Sequence, residues 1–268
     1  MKATLSVLLF ILINLSLYSQ ERGSKFYVLW GYNRAMFSPS NIHFKGENVD
    51  FTLLKVKAKD RPTPFDLSTY INPQTMWIPQ YNYRIGYHIN NKFAVSVGTD
   101  HMKYVVNQNQ DVKFKGDILL NNSRRHSEGG EVISITPDFL EFEHTDGFNY
   151  INTQLERTYI VHKFSDNFSF NFKIAPGIGV MIPRTNAKLM GYERSDKFHF
   201  AGLGASVALT PHFQFFKHFF IQSEWKTGYV NMFDVIVNEN VKARHNVFFE
   251  QYNISLGASF KIVRKNKA

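Results

Sequence analysis

The amino-acid sequence predicts an all-β fold: a closed, antiparallel, up-and-down transmembrane β-barrel of eight strands, with short turns at one end and long loops at the other. Three observations lead to this prediction. Apolar and polar residues alternate along eight segments that are long enough to cross a membrane as strands. The connections between these segments alternate between short and long, and the chain opens with a segment typical of exported proteins.

The alternation is clearest in residues 78–100, IPQYNYRIGYHINNKFAVSVGTD. Tyrosine and isoleucine occupy one parity, while polar residues that include Arg84 and His88 occupy the other. The same pattern resumes after Asn90-Asn91, a pair that favours a tight turn. This stretch therefore predicts two antiparallel strands joined as a hairpin, with an apolar face and a polar face.

Similar segments recur along the chain. The predicted strands cover residues 25–37, 77–89, 92–106, 148–163, 167–182, 197–210, 218–233 and 246–263. Short turns follow the second, fourth and sixth strands, at NN, SDN and the TPHFQFFKH region. Long loops follow the others, at about 38–76, 107–147, 183–196 and 234–245. This strict asymmetry is typical of membrane barrels, whose turns are short on one side.

The apolar face is almost wholly aromatic and aliphatic, in a chain with 16% aromatic residues and a mean hydropathy of -0.26. In a secreted β-sandwich, the alternative, this face would pack against a second sheet. In a barrel it contacts lipid, and closure of the sheet pairs the backbone groups that hydrocarbon cannot hydrogen-bond. The even strand count and the asymmetric connections favour the barrel.

The chain divides into a predicted secretory signal peptide, residues 1–20, and a barrel domain, residues 21–268. Lys2 precedes an apolar stretch from Leu5 to Leu17, and cleavage is predicted near Ser19-Gln20. The chain has no cysteine, so burial and backbone pairing must stabilise it without disulfides. Removal of Lys2 leaves 31 − 1 = 30 basic against 22 acidic residues, a net charge of +8 that suits anionic lipid headgroups.

The strand pattern and topology over residues 25–264 resemble the small eight-stranded outer-membrane barrels of Gram-negative bacteria, the family that contains the transmembrane part of outer-membrane protein A. The segment WGYNRAMFSPSNIHFKGENVDFTLLKVKAKDRPTPF also resembles outer-membrane β-barrel proteins of the Bacteroidetes lineage. The resemblance implies an outer-membrane location, periplasmic turns and external loops, and it implies no particular chemistry. The sequence departs from the family where IVRKNKA follows Phe260, since many such barrels end on an aromatic residue.

An eight-stranded barrel is narrow, so its inward side chains fill it. The inward parity is predicted to carry a polar network of Arg84, His88, Asp100, Glu156, Lys173, Glu224 and Lys226. Charges enclosed by lipid must pair, because an isolated buried ion costs several kcal/mol. We expect Glu224 to pair with Arg84, Lys173 or Lys226, and the alternative use of this network is a narrow ion or proton path.

Five aromatic residues lie near predicted strand ends, where Trp and Tyr anchor barrels at the membrane–water interface. They are Trp30, Tyr32, Trp77, Trp225 and Tyr229.

No catalytic, cofactor-binding or metal-binding residues are predicted. The segment RRHSEGG groups His126, Ser127 and Glu128, but neighbours on an extended chain point to opposite sides. Asp100 beside His101 resembles the acid–histidine couple of omptin-like proteases only weakly, because those are larger barrels with further acidic residues. His199 and Ser206 are seven residues apart, about 23 Å along a strand.

The first long loop is the most distinctive external feature. It carries Lys45, Lys55, Lys57, Lys59 and Arg61, and it is expected to act as a folded lid or to dock lipopolysaccharide phosphates or a partner protein. We expect a monomeric integral outer-membrane protein with a structural, adhesion or envelope-assembly role, in contact with outer-membrane lipid and lipopolysaccharide and without nucleic acid. The alternatives are a lipid A-modifying acyl hydrolase or transferase and a narrow small-solute channel.

Overall fold

The structure, a computed structural model, describes residues 25–46, 49–120, 123–195, 197–216 and 218–261. In chain order the strands are β1 (Phe26–Phe37), β2 (Ser40–Gly46), β3 (Asp50–Val56), β4 (Ala58–Lys59), β5 (Tyr81–His88), β6 (Phe93–Val106), β7 (Gln110–Leu120), β8 (Ser123–Ile135), β9 (Leu140–Ser165), β10 (Phe168–Met181), β11 (Asn186–Leu189), β12 (Tyr192–Ser195), β13 (Gly202–Phe215), β14 (Phe219–Ile236) and β15 (Val241–Phe260). A short helix, α1 (Leu67–Tyr70), lies between β4 and β5. The predicted signal peptide lies outside the described residues, and no helix within them is long and apolar enough to cross a membrane.

Eight of these strands form a closed antiparallel ring in the order β1, β5, β6, β9, β10, β13, β14 and β15. The ring closes where β1 pairs with β15, from Phe26 opposite Phe260 to Phe37 opposite Phe249. Each neighbouring pair is antiparallel, and the eight strands coincide in order with the eight predicted segments. The predicted fold class, an up-and-down barrel of eight strands, is confirmed.

Short turns connect the ring strands at one end, as predicted. Between β5 and β6, the Asn90 side chain accepts hydrogen bonds from the backbone N–H groups of Lys92 and Phe93 at 2.8 and 2.9 Å. This side-chain bonding mimics a backbone turn and allows the chain to reverse within a few residues. Asp166-Asn167 connects β9 to β10, and the third short turn includes Phe216 and His218.

Several predicted strand boundaries are wrong. The fourth ring strand begins at Leu140 rather than at 148 and the eighth at Val241 rather than at 246, because both continue beyond the ring, and two further boundaries differ near prolines. The second ring strand begins at Tyr81 rather than at residue 77, because residues 72–78 fold into turns before Pro79. The sixth runs from Gly202 to Phe215 rather than over 197–210. Most of the predicted turn TPHFQFFKH is strand: Pro211 lies within β13, opposite Phe172 of β10. The pairing with β14 skips Thr210 and Pro211 without a change of register.

The predicted long loops are largely β structure. Strand β2 pairs with residues Val241–His245 of β15, beyond the part of β15 that closes the ring, and the sheet continues through β3, β7 and β8. On the other side, β11 pairs with residues Leu140–Glu143 of β9 and with β12. We call the cap the strands β2–β4, β7, β8, β11 and β12 with the extensions of β6, β9, β14 and β15 beside them. It lies at the end opposite the short turns.

A single apolar core connects the cap to the upper part of the barrel. Phe44 stacks on Phe51 with ring centroids 5.1 Å apart and meets Phe142 of β9 edge to face at 5.9 Å. The same buried cluster includes Tyr150 and Phe249, whose side chains point into the ring. The cap is therefore packed onto the barrel as a continuation of its interior, and it covers the mouth as the expected folded lid would.

Candidate functional site

The barrel interior below the apolar core is polar, and it contains the buried charges. Among the described residues, six Asp, Glu, Lys and Arg side chains are buried: Arg84, Asp100, Glu156, Lys173, Glu224 and Lys226. They comprise three cations and three anions, so the enclosed charge sums to zero. All six belong to the polar network predicted from the inward parity of the strands.

Asp100 lies at the centre of the larger cluster. Lys226 Nζ donates to Asp100 Oδ2 at 2.6 Å, and Asn152 Nδ2 donates to the same oxygen at 2.9 Å. Asn82 Nδ2 donates to Asp100 Oδ1 at 2.6 Å, and Arg84 lies 3.9 Å from that oxygen. Both carboxylate oxygens are thus satisfied by donors from three ring strands, β5, β9 and β14.

The cations of this cluster have second partners. Arg84 donates to Asn152 Oδ1 at 2.7 Å and to Ser96 Oγ at 3.2 Å. Lys226 lies 3.1 Å from Glu224 Oε1, so Glu224 has one of the three partners expected for it. Glu224 also accepts a hydrogen bond from Asn253 Nδ2 at 3.0 Å. The cluster is a connected network in which each buried ion contacts an ion of opposite sign.

The second ion pair lies nearer the short turns. Lys173 Nζ is 3.6 Å from Glu156, whose carboxylate also accepts a hydrogen bond from the Tyr27 hydroxyl. The ammonium lies 5.4 Å from the ring centroids of both Tyr27 and Phe220. Gly86 makes room for the Tyr27 ring, because a Cβ at that position would lie 2.0 Å from it. Aromatic rings and paired charges together fill this level of the barrel.

His88 packs against Tyr27, the tyrosine that donates to Glu156. Its ring is buried, and its centroid is 5.3 Å from that of Tyr27. The structure thus brings six of the seven predicted interior residues into two ion-pair clusters and places the seventh against a ring.

The five predicted interfacial aromatics are all at least partly exposed on the outer surface. Trp30 stacks on Tyr81 at 4.8 Å, and Tyr32 lies two residues further along the same face of β1. Trp225 and Tyr229 are each 37% exposed on β14. Trp77 is 54% exposed and lies in the turns before β5, not in a strand.

The residue sets considered for catalysis do not assemble. The His126 ring contacts Glu128 at 3.1 Å and Asp117 at 3.2 Å, whereas Ser127 is buried on the other face of β8 and its Oγ accepts from the N–H groups of Gly129 and Glu131. Hydrogen bonds that the His126 ring donates to Glu128 and Asp117 raise the pKa of His126, which favours the imidazolium and disfavours a general base. No serine–histidine contact forms in this segment.

The other two sets are also separated. Asp100 points into the barrel, while the ring of His101 contacts Asn149 at 2.8 Å. His199 contacts the backbone carbonyl of Asp234 at 2.6 Å. Within the described ranges, no group of three or more His, Cys, Asp or Glu side chains is placed to hold a metal ion.

The exposed face of the cap carries charges of both signs. Lys45 lies 3.6 Å from Asp50, and Lys115 lies 3.7 Å from Glu128 on the neighbouring strand. Arg61 donates to Glu143 at 2.5 Å beside a cleft of about 490 Å³ on the flank of the cap. Two of the five basic residues expected to dock phosphates are therefore engaged with carboxylates.

A pair of histidines is buried in the cap core. The rings of His144 and His245 stack with centroids 5.8 Å apart, among Tyr104, Phe142 and Phe148. His144 contacts Thr185 at 3.0 Å, and neither ring nitrogen of His245 hydrogen-bonds to another described residue. Burial lowers the pKa of His245 to about 4, and burial with the nearby His245 and His199 lowers the pKa of His144 well below its ordinary value.

Sequence reasoning missed the amides that bridge the ions and the histidine pair. Asn82, Asn152 and Asn253 lie on the inward parity of predicted strands, so the alternation itself could have identified them. His144 and His245 lay in predicted loops, where no strand parity was assigned to them.

Solved structures with a similar strand arrangement include neisserial surface protein A, OprG from Pseudomonas aeruginosa, and the outer-membrane protein AlkL in lipid bilayers. Each is 11% identical in sequence to this chain. In the order named, the similarity covers 88%, 91% and 93% of this chain and 97%, 100% and 96% of the other chain. The TM-scores are 0.37, 0.41 and 0.40. The chain resembles the small outer-membrane β-barrel proteins. No protein-family model matches it, and no curated protein sequence does. The likeness is one of fold, and the roles of those proteins are not transferred to this one.

Asp100→Asn is expected to lower the free energy of unfolding by about 3–5 kcal/mol, because it leaves two buried cations, Arg84 and Lys226, against the single anion Glu224. Asp234→Asn is a matched control: Asp234 has the same 2.6 Å contact to a lysine, Lys242, but at the surface, and its loss is expected to cost no more than about 1 kcal/mol. Urea unfolding in lipid vesicles measures both values, and equal losses would contradict the role given to the buried cluster. Replacing Lys226 by Met as well is expected to restore much of the stability.

The histidine pair predicts a pH dependence of stability. The folded-state pKa of His245 is about 4 and its ordinary value is 6.5, so between these pH values the unfolded chain binds a proton that the folded chain does not. Stability therefore falls as pH falls, by about 3 kcal/mol from His245 alone between pH 6.5 and 4, and it is independent of this group above that window. Proteolysis of the cap as a function of pH measures the effect. His245→Phe is expected to flatten the profile, and an unchanged slope would contradict this assignment.

Proposed function

We propose that the chain is an integral outer-membrane β-barrel protein with a non-enzymatic role, in which a rigid barrel displays the cap outside the cell for envelope structure, adhesion or assembly. The observation that carries this proposal is the filled interior. Paired ions and amides occupy the lower barrel, and an apolar core closes the mouth. With its interior occupied by its own side chains, the protein is suited to present the outer surface of the cap rather than to enclose a substrate.

The exterior of the ring supports a location in a membrane. Its outward side chains are large, apolar and exposed, with exposed fractions from 39% to 72% at Tyr83, Ile85, Ile178, Leu203, Ile254 and Leu256. Such a belt around a closed ring has no partner in water, whereas acyl chains cover it and the ring leaves few backbone groups unpaired. The family resemblance and the predicted signal peptide support the outer membrane of a Gram-negative bacterium.

A lipid A-modifying acyl hydrolase or transferase is the runner-up, and it receives less support. Such an enzyme needs a nucleophile and a base in contact near the outer rim. Ser127 and His126 lie on opposite faces of β8, and His199 contacts a backbone carbonyl. A narrow small-solute channel needs a continuous wet path, whereas side chains from β5, β9 and β14 bond to Asp100 across the barrel interior.

The cap is the proposed contact surface for partners. Lys55, Lys57 and Lys59 of the first predicted loop remain candidates for lipopolysaccharide phosphates, and the mixed charges on β7 and β8 suit a partner protein of the envelope. A monomer suits this arrangement, because the ring closes within one chain.

Three measurements on the full chain test the proposal. The protein is expected to stay in the outer-membrane fraction through an alkaline wash, to produce no conductance steps in planar bilayers, and to leave the mass of lipid A unchanged. Discrete conductance steps would support the channel, and loss or gain of an acyl group would support the enzyme. Release by the alkaline wash would overturn the membrane location.

A further inference from the structure

The segment that contains α1 and leads to β5 exposes an unusual amount of apolar surface. Within residues 65–78, FDLSTYINPQTMWI, the large apolar side chains with the greatest exposure are Phe65 (73%), Leu67 (60%), Ile71 (69%), Trp77 (54%) and Ile78 (49%). Asp66 is the only charged residue in the stretch. A segment in water would be expected to bury such side chains or to alternate them with charges. We call residues 65–78 the apolar shelf.

The shelf is attached to the outer surface of the barrel wall, not to its mouth. Tyr32 points outward from β1, between the inward-facing Gly31 and Asn33. Its hydroxyl donates to the carbonyl oxygens of Tyr70 and Met76, and its ring meets that of Tyr70 edge to face at 4.6 Å. The shelf therefore lies on the same side of the wall as the apolar belt.

The height of this attachment places the shelf at the level of the membrane. Tyr32 is the seventh residue of β1, counted from the end with the short turns, and it pairs with Tyr81, the first residue of β5. A tilted strand needs about 9–11 residues to cross the hydrocarbon layer. Tyr32 thus falls within the crossing length, near its outer end, and the next outward-facing residue of β1 is the exposed, charged Arg34.

The backbone of the shelf is suited to such a position, because many of its polar groups bond within the segment. The N–H groups of Tyr70 and Ile71 donate to Asp66 and Leu67, and those of Thr75 and Met76 donate to Asn72, all at 2.9–3.0 Å. The Thr75 hydroxyl contacts the carbonyl oxygens of Ser68 and Thr69 at 3.2 and 3.0 Å. Lipid-exposed irregular backbone does not occur within the hydrocarbon layer, so the backbone of the shelf lies at the headgroup boundary and only its apolar side chains reach the acyl chains.

We propose that the apolar shelf inserts into the outer leaflet of the membrane and binds the upper acyl chains beside β1 and β5. This proposal rests on the membrane location proposed above and adds a lipid-binding surface to it. Trp77 and Ile71 are the inserted anchors, and Asp66 remains at headgroup level, where its side chain accepts hydrogen bonds from the N–H and hydroxyl of Thr69. Continuity with the lipid-facing wall selects lipid over a second protein as the partner.

Tryptophan fluorescence in phosphatidylcholine vesicles with brominated acyl chains tests the proposal, because the chain has only three Trp. Trp30→Phe with Trp225→Phe leaves Trp77 as the reporter, and Trp30→Phe with Trp77→Phe leaves Trp225 on the barrel wall. Bromine near the headgroup end of the chains is expected to quench Trp77 strongly and to quench it more than bromine placed deeper. Trp225, which faces outward on the barrel wall, is expected to be quenched by brominated lipid as well.

The two reporters distinguish the possible failures. Quenching of Trp225 without quenching of Trp77 would overturn the shelf and leave the barrel in the membrane. Shielding of Trp77 from both brominated lipid and aqueous iodide would mean that protein covers the shelf, and would also overturn the proposal. Loss of lipid quenching at both positions would overturn the membrane location itself.

A charged variant provides an independent measurement. Leu67→Asp with Ile71→Asp, introduced beside the Trp77 reporter, is expected to reduce its quenching by lipid and to increase its quenching by iodide. Val132→Asp is the matched control: Val132 is 52% exposed on β8 of the cap, and its replacement is expected to leave Trp77 unchanged. Equal effects of the two changes would contradict lipid insertion of the shelf.

Discussion

Closure of the sheet between β1 and β15 is the constraint on which the rest of the structure depends. A hydrocarbon layer offers no hydrogen bonds, so strands that cross it must pair on both edges, and the ring provides that pairing through the register from Phe26 to Phe37. Closure also fixes the parity of every ring strand. Once Ile254 faces outward, Ser255 must face inward, and the enclosed face has to be filled without leaving net charge in a lipid-surrounded cylinder.

The interior meets this requirement in two ways along the barrel axis. Near the short turns the inward residues are ions of balanced sign, bridged by asparagine side chains that satisfy the remaining oxygens. Toward the other end the inward residues become apolar, and Phe249 and Tyr150 continue into the cap core. The same strands thus enclose a polar lower half and an apolar upper half. The cap needs no separate domain core, because it shares that of the barrel.

The sequence alone predicted those parts of the fold that follow from the alternation of apolar and polar residues along a strand. The alternation of apolar and polar residues around Arg84 predicted both the strand and the face that is enclosed. A strand with one apolar and one polar face has only one arrangement in a membrane. The boundaries near Pro79 and Pro211 were predicted wrongly, since tertiary pairing decides whether a proline ends a strand. The partner of Asp100 was beyond reach, because it depends on the ring register. His144 and His245 were hidden in segments that become strands only when the cap sheet assembles.

The central claim is that the aromatic face contacts lipid and the charged face is enclosed. Because the chain has no cysteine, Ile254→Cys and Ser255→Cys can each carry a single spin label on adjacent residues of β15, 64% and 1% exposed respectively. Power-saturation EPR in lipid vesicles compares their exposure to oxygen dissolved in the bilayer. High oxygen accessibility at residue 254 with low accessibility at residue 255 is the result that the structure predicts. Equal or reversed accessibility would contradict it.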